Sequence, residues 1–143
     1  MELGTGRSTT LTEMDGFEVD PAQTKAQWEE AIRMIPKMWT EETFSHQGEF
    51  FNIPPRSVIP KPVQDPHPPL YGGFTMSMKT ALFWAQYGGT PIVLSDNLDF
   101  CEALWQTYRE ESIRHGTEKP KGHEAAWGGI AVCAPTDLRA QQE

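Results

Sequence analysis

The chain has 143 residues, which is one ordinary domain by length. It carries 20 Asp+Glu against 12 Lys+Arg, a formal net charge of -8, and no basic cluster, so it makes a poor nucleic-acid binder. No apolar run reaches the roughly 20 residues that span a bilayer, and no basic segment followed by an apolar one opens the chain, so neither a membrane span nor a secretory leader is expected.

Five Trp and seven Phe supply apolar mass for a core, which argues against wholesale disorder. Two cysteines, Cys101 and Cys133, form neither a disulfide framework nor a Cys-x-x-Cys pair, a usage that fits a reducing cytoplasm. The chain has no internal repeat.

Met1 to Gly6 reads as the tail of a strand running into a glycine turn. Residues 7–23 are polar, are broken by Gly16 and Pro21, and read as a long surface loop. Thr24 to Trp39 reads as an amphipathic helix, because Trp28, Ile32, Ile35 and Met38/Trp39 recur at three- and four-residue steps. Asp20 and Pro21 would be its cap and first residue. Pro36 would kink or tighten the last turn. Thr43 to Ile53 reads as a small hairpin turning at Gln47-Gly48. Residues 54–69 then hold seven prolines in sixteen positions, an extended connector unfit for a sheet interior.

The second half changes rhythm. Leu70 to Gly73 is a short strand, followed by a helix from about Ser77 to Tyr87 that Gly88-Gly89 stops. Pro91 to Leu94 reads as a buried strand. Ser95 or Asp96 would cap a long helix to about His115, with Leu98, Cys101, Leu104/Trp105 and Tyr108 on its apolar face and Gly116 closing it. A strand from Trp127 to Cys133 follows, and Pro135-Thr136-Asp137 opens a last helix. Strands alternating with helices of this length argue for βα units and a parallel sheet.

Two turns could hold an anion. After Gly73, Ser77 and Thr80 fall in the first turn of a helix, where unpaired N–H groups carry partial positive charge and hydroxyls can add donors to a phosphate. The same Ser77 could equally be a plain N-cap. In Gly4-Thr-Gly-Arg-Ser8, the glycines permit close backbone approach and Arg7 offers a bidentate fork, although the segment is neither a dinucleotide fingerprint nor a P-loop. It reads equally as a glycine turn beside a surface arginine.

No metal site is expected: His46, His67, His115 and His123 are dispersed without helical ligand spacing. His46 reads as a surface residue, His67 as shaping the connector, and Cys133 as a buried small hydrophobe. No Ser-His-Asp signature and no Gly-x-Ser-x-Gly elbow are present. The pairs Glu29-Glu30, Glu41-Glu42 and Glu110-Glu111 read as solvated faces, since adjacent glutamates on a helix point apart.

Several motifs come in a particular order. They are Gly4-Thr-Gly-Arg-Ser8, Gly16-Phe-Glu-Val-Asp20, the helix containing Glu29 and ending Met38-Trp-Thr-Glu41, then Phe44-Ser-His-Gln-Gly-Glu-Phe-Phe51, Pro60-Lys-Pro-Val-Gln64, Pro68-Pro-Leu-Tyr71 and the Ser77 helix. In this order they resemble the bacterial luciferase-like, flavin-dependent monooxygenases. The resemblance runs over nearly the whole chain and thins after about residue 95.

The resemblance implies an α/β fold: a single partial (β/α)8 TIM-barrel domain over residues 1–143, with a β-hairpin and Pro-rich insertion at about 40–68. It places the chain from the end of the fourth barrel strand to just past the seventh, against about 250 residues for a full barrel. It also implies reduced FMN and O2 as co-reactants, a small organic substrate and a flavin reductase as partner, while the strand edges and apolar face that an open partial barrel exposes lead to an expectation of self-association. A deazaflavin-dependent reductase is the variant within the class.

By the same resemblance, Arg7 contacts the flavin phosphate, and Lys25 stands where a second basic residue is common. Ser77 and Thr80 hold the phosphate, with Met76 and Met78 offering backbone contacts. The family's early-strand histidine has no counterpart, so no catalytic residue is assigned. A reading of another class is a truncated, non-catalytic α/β protein that binds a partner or a phosphorylated ligand.

Overall fold

The computed structural model describes residues 1–8, 10–73, 75–129 and 133–140. They divide into two units, Met1–Gly73 and Phe74–Glu143. Strand and helix alternate in the second unit, as the βα reading expects, whereas the first unit runs two helices and then three strands in succession.

The first unit contains β1 (Leu3–Thr5), α1 (Leu11–Gly16), α2 (Thr24–Thr40), β2 (Phe44–Gln47), β3 (Asn52–Arg56) and β4 (Leu70–Gly72). β1 and β4 pair in parallel, with Leu3 opposite Leu70 and Thr5 opposite Gly72. A parallel pair needs a crossover, and α2 lies between its strands in the sequence. Ile32, Met34, Phe44 and Leu70 are buried here.

Residues 7–23 are not wholly loop. Thr10 accepts N–H bonds from Glu13 and Met14 and opens α1, which buries Met14. Six residues are too few to display a helical period. The start of α2 also differs from expectation. Asp20 accepts the Ala22 N–H and Thr24 donates to the Pro21 carbonyl, so this dipeptide forms a turn and the helix begins after Gln23. Pro36 sits inside α2, which continues to Thr40. The Lys61 ammonium donates to the carbonyls of Met38 and Glu41 and closes the helix end.

β2 and β3 form the expected hairpin, but β3 includes Pro54 and Pro55. A register shift between Phe44 and His46 accommodates them. Phe44 pairs with Arg56 and His46 with Ile53, so the prolines fall outside the paired positions.

The second unit contains α3 (Met78–Tyr87), β5 (Thr90–Leu94), α4 (Leu98–His115), β6 (Ala126–Gly128) and α5 (Asp137–Ala140). β5 and β6 pair in parallel with α4 between them in the chain, a βαβ crossover. α3 packs on α4. Ala81, Trp84 and Ala85 on α3, Val93 on β5, and Cys101, Leu104 and Tyr108 on α4 are buried. Gly88 and Gly116 end their helices in the left-handed region, at φ 70° and 65°. At Gly89 an added Cβ would overlap the Trp84 ring.

Three details of this half differ from expectation. Asn97 caps α4, rather than Ser95 or Asp96. Leu98 is exposed, because it stands at the first helical position, outside the buried stripe of Cys101, Leu104 and Tyr108. Cys133 is exposed rather than buried: β6 ends at Gly128, so Cys133 lies beyond the strand. The rest of the strand expected to Cys133, at 130–132, and the helix end at 141–143 lie outside the described residues. Among the described residues no helix is long and apolar enough to cross a membrane.

Candidate functional site

The second unit places Met76, Ser77, Met78 and Thr80 at the start of α3. Ser77 is the N-cap with extended backbone, yet its side chain makes no capping bond. Its carbonyl accepts the N–H groups of Thr80 and Ala81. No acidic residue stands in the first turn. The partial positive charge of the helix start is therefore not neutralised within its own turn. Lys79, exposed between Met78 and Thr80, adds an ammonium that motif matching passes over.

The approach to this helix start is well fixed. Thr75 donates its N–H to the Ile92 carbonyl at 2.6 Å, which pins the segment to β5. Thr75 is only 2% exposed, and its hydroxyl has no hydrogen-bond partner among the described residues. Met76 is exposed, and Met78 and Thr80 are half-buried. An uncapped serine, an acid-free first turn and an exposed lysine suit an anionic oxygen ligand such as a phosphate.

The first unit holds Arg7 and Lys25. β1 ends at Thr5, and Arg7 follows in the glycine turn with its side chain exposed. Among the described residues Arg7 has no ion-pair partner. Ser8 adopts a left-handed φ of 57°. Its hydroxyl donates to the Glu13 carboxylate at 2.6 Å and accepts the Thr10 N–H at 3.2 Å. These bonds fix the exit of the turn.

Lys25 stands in the first turn of α2, with its ammonium 3.7 Å from Glu29. Glu29 also receives Arg33 at 3.5 Å. The lysine and arginine side chains are 46% and 49% exposed, so each pair stabilises little and leaves Lys25 available to an anion.

Two bonds missed by sequence reasoning tie these segments together. The Trp28 indole N–H donates to the Thr5 hydroxyl at 3.2 Å, linking α2 to the end of β1. The Thr5 carbonyl accepts the Gly73 N–H at 2.7 Å. An added Cβ at Gly73 would approach that carbonyl to 3.1 Å, so glycine suits the close approach.

Comparison with known proteins agrees with this architecture. The FMNH(2)-dependent dimethylsulfone monooxygenase of Pseudomonas putida is 40% identical over 45 residues, which is 32% of this chain and 12% of the relative. Monooxygenase RslO1 from Streptomyces bottropensis superposes with a TM-score of 0.87 at 21% identity, covering 99% of this chain and 43% of that one. The oxygenating constituent of 3,6-diketocamphane monooxygenase from Pseudomonas putida, a Type II Baeyer-Villiger monooxygenase solved with FMN, superposes with a TM-score of 0.73 at 19% identity, covering 99% and 42%. The chain thus spans less than half the length of these proteins. The family model for luciferase-like monooxygenases matches residues 1–143, and the chain belongs to that family.

Proposed function

We propose that this chain supplies the cofactor-phosphate-binding part of a flavin-dependent monooxygenase that uses reduced FMN and O2 to oxygenate a small organic substrate. The observation that carries the reading is the start of α3, where Ser77 makes no capping bond and no carboxylate occupies the first turn. Support for FMN comes from a solved neighbour bound to FMN and a relative named for reduced FMN. Bound reduced flavin supplies the electrons that activate O2.

The chain's own residues bind and orient. Ser77 and Thr80 offer hydroxyl donors beside the first N–H groups of α3, and Met76 and Met78 offer backbone contacts. Arg7 offers a planar fork, and Lys25 a point charge with no fork geometry. A phosphate held this way fixes one end of the cofactor, so the reactive ring is placed by the rest of the barrel. A deazaflavin carries the same kind of handle and would be held in the same way. The reading takes residues 1–143 as one partial barrel domain and includes self-association and a separate flavin reductase as the electron source.

Calorimetric titration of this chain with FMN, with Arg7→Ala and Ser77→Ala alongside, tests the reading. Saturable binding that each substitution weakens is the expected result, by about tenfold for Arg7→Ala as befits a charged hydrogen bond. Absence of saturable binding, or indifference to both substitutions, would sink it. The same α3 start also favours a second reading, a module that binds phosphorylated ligands without oxygenation. Inorganic phosphate competing as well as FMN would favour that one.

A further inference from the structure

We propose that the Trp28–Thr5 hydrogen bond is a positioning contact, which sets where Arg7 and Lys25 stand for an anionic phosphate. The proposal rests on the flavin-phosphate reading above. Thr5 is the last residue of β1, and Arg7 follows two residues later, past Gly6. Gly6 has open space around it, Ser8 fixes the far side of the turn through Glu13 and Thr10, and among the described residues Arg7 itself has no ion-pair partner, so its position follows from the two ends of the turn. Trp28 lies in the second turn of α2, three residues after Lys25, and therefore on the neighbouring stretch of the same helix surface. The bond Trp28 Nε1–H to Thr5 Oγ1, at 3.2 Å, thus joins the segment carrying one cation to the turn carrying the other.

The acceptor is itself held. The Thr5 hydroxyl has one proton, which points to the Tyr71 carbonyl at 3.5 Å, leaving its lone pairs for the indole N–H. The Thr5 carbonyl takes the Gly73 N–H at 2.7 Å. Thr5 is therefore fixed from β4 on one side and from α2 on the other. Lys25 faces Glu29 at 3.7 Å, one helical turn on, in an exposed pair that restrains it little, so its place is set by α2. Phosphate contacts are sensitive to displacements of well under an ångström in donor position. A clamp behind two exposed cations limits the ordering that binding would demand of them.

The test uses the full chain with Trp28→Phe, which keeps an aromatic ring and removes the N–H, and Thr5→Val, which removes the acceptor at nearly constant shape. Thr5→Ser keeps the acceptor and is the rescue control. Hydrogen exchange over residues 4–8 is measured first, because it needs no ligand. FMN affinity is measured by calorimetry, since Trp28 is itself a fluorophore. Trp28→Phe and Thr5→Val should each speed exchange over residues 4–8 and weaken FMN by about fivefold, the worth of one neutral hydrogen bond. Thr5→Ser should match the parent, and the double variant should be no worse than either single one.

In a chain already carrying Arg7→Ala and Lys25→Ala, the fivefold loss should vanish. Unchanged exchange in Trp28→Phe overturns the positioning role, whatever FMN does. A fivefold loss that persists without the two cations also overturns it, because the bond would then act on general structure. FMN binding indifferent to both Arg7→Ala and Ser77→Ala overturns the flavin reading instead, whatever the exchange shows.

Discussion

Oε1 of Glu30 lies 2.9 Å from Nε2 of His46, so a carboxylate in the middle of α2 meets the hairpin side chain across sixteen residues. The same carboxylate accepts the backbone N–H groups of Glu49, Phe50 and Phe51, at 3.0 to 3.1 Å. A carboxylate only accepts, so Nε2 is the protonated ring nitrogen of His46. Glu30 thus satisfies the donors of the tight turn between β2 and β3 and fastens that turn to α2. Sequence expectation put Glu30 on a solvated face and His46 at the surface. Glu30 is instead 9% exposed and His46 half-buried, because turn N–H groups without strand partners need an acceptor.

Glu30→Gln should lower the thermal midpoint, and the loss should depend on pH. Burial raises the Glu30 pKa, but the hydrogen bonds from His46, Phe50 and Phe51 outweigh it and hold the carboxyl below its ordinary 4.5. A depressed carboxyl stabilises the fold fully above its unfolded value and loses that contribution as pH falls through the folded value. The gap in midpoint between the parent and Glu30→Gln should shrink as pH falls below about 4.5. Thermal melts at stepped pH check this, and a gap that widens on acidification would contradict it.

Gly48 is small for the same reason. An added Cβ there would fall 2.0 Å from Glu30 Oε1 and 2.6 Å from His46 Nε2. The carboxylate cannot swing aside without releasing the N–H groups of residues 49–51. Gly48→Ala should therefore destabilise the chain by about as much as Glu30→Gln. The double variant should be little worse than either single variant, because both break one network. Denaturant midpoints of the three variants measure that coupling, and full additivity would disprove it.

These elements mark where the sequence is informative. The helix periods, the glycine ends at Gly88 and Gly116 and the hairpin are local properties, and all can be read from spacing. The difference between Glu29 and Glu30 cannot. They are adjacent and chemically identical, and what separates them is a set of partners at positions 46 to 51. The Trp28–Thr5 bond is hidden in the same way across 23 residues. At the candidate site, the sequence locates Arg7 in a glycine turn and Ser77 at a helix start, and the family resemblance adds Lys25. That Ser77 makes no capping bond and that Lys25 already faces Glu29 depends on the folded chain and has no local signature.

Ser77 offers a test in which stability and binding move in opposite directions. Its side chain makes no capping bond, so Ser77→Ala should change stability by less than about 0.5 kcal/mol, below the usual loss of a working cap. Ser77→Asp should stabilise α3, since a carboxylate both caps the first turn and complements the helix dipole. The same charge should repel a phosphate and weaken FMN by more than Ser77→Ala does. Melting and calorimetry on the two variants check this. An aspartate that improves both properties would mean that the α3 start does not meet a phosphate.

The cap of α4 is a choice among three adjacent candidates, Ser95, Asp96 and Asn97, and the structure selects the third. Asn97 Oδ1 accepts the Phe100 N–H at 3.0 Å, with the extended backbone typical of an N-cap. Ser95 serves earlier: its hydroxyl accepts the Asn97 N–H, and its carbonyl accepts the Trp127 indole N–H at 2.9 Å. Asp96 is exposed and takes no part in the cap. Asn97→Ala should therefore cost about 1 kcal/mol, the ordinary worth of a cap. Asp96→Ala should stay within about 0.5 kcal/mol of the parent, as surface substitutions do. Ser95→Ala should fall between them, because the backbone bond to Trp127 survives the loss of the hydroxyl. Urea midpoints for the three variants give the ranking, and a larger loss at Asp96 than at Asn97 would show that a different residue caps the helix in solution.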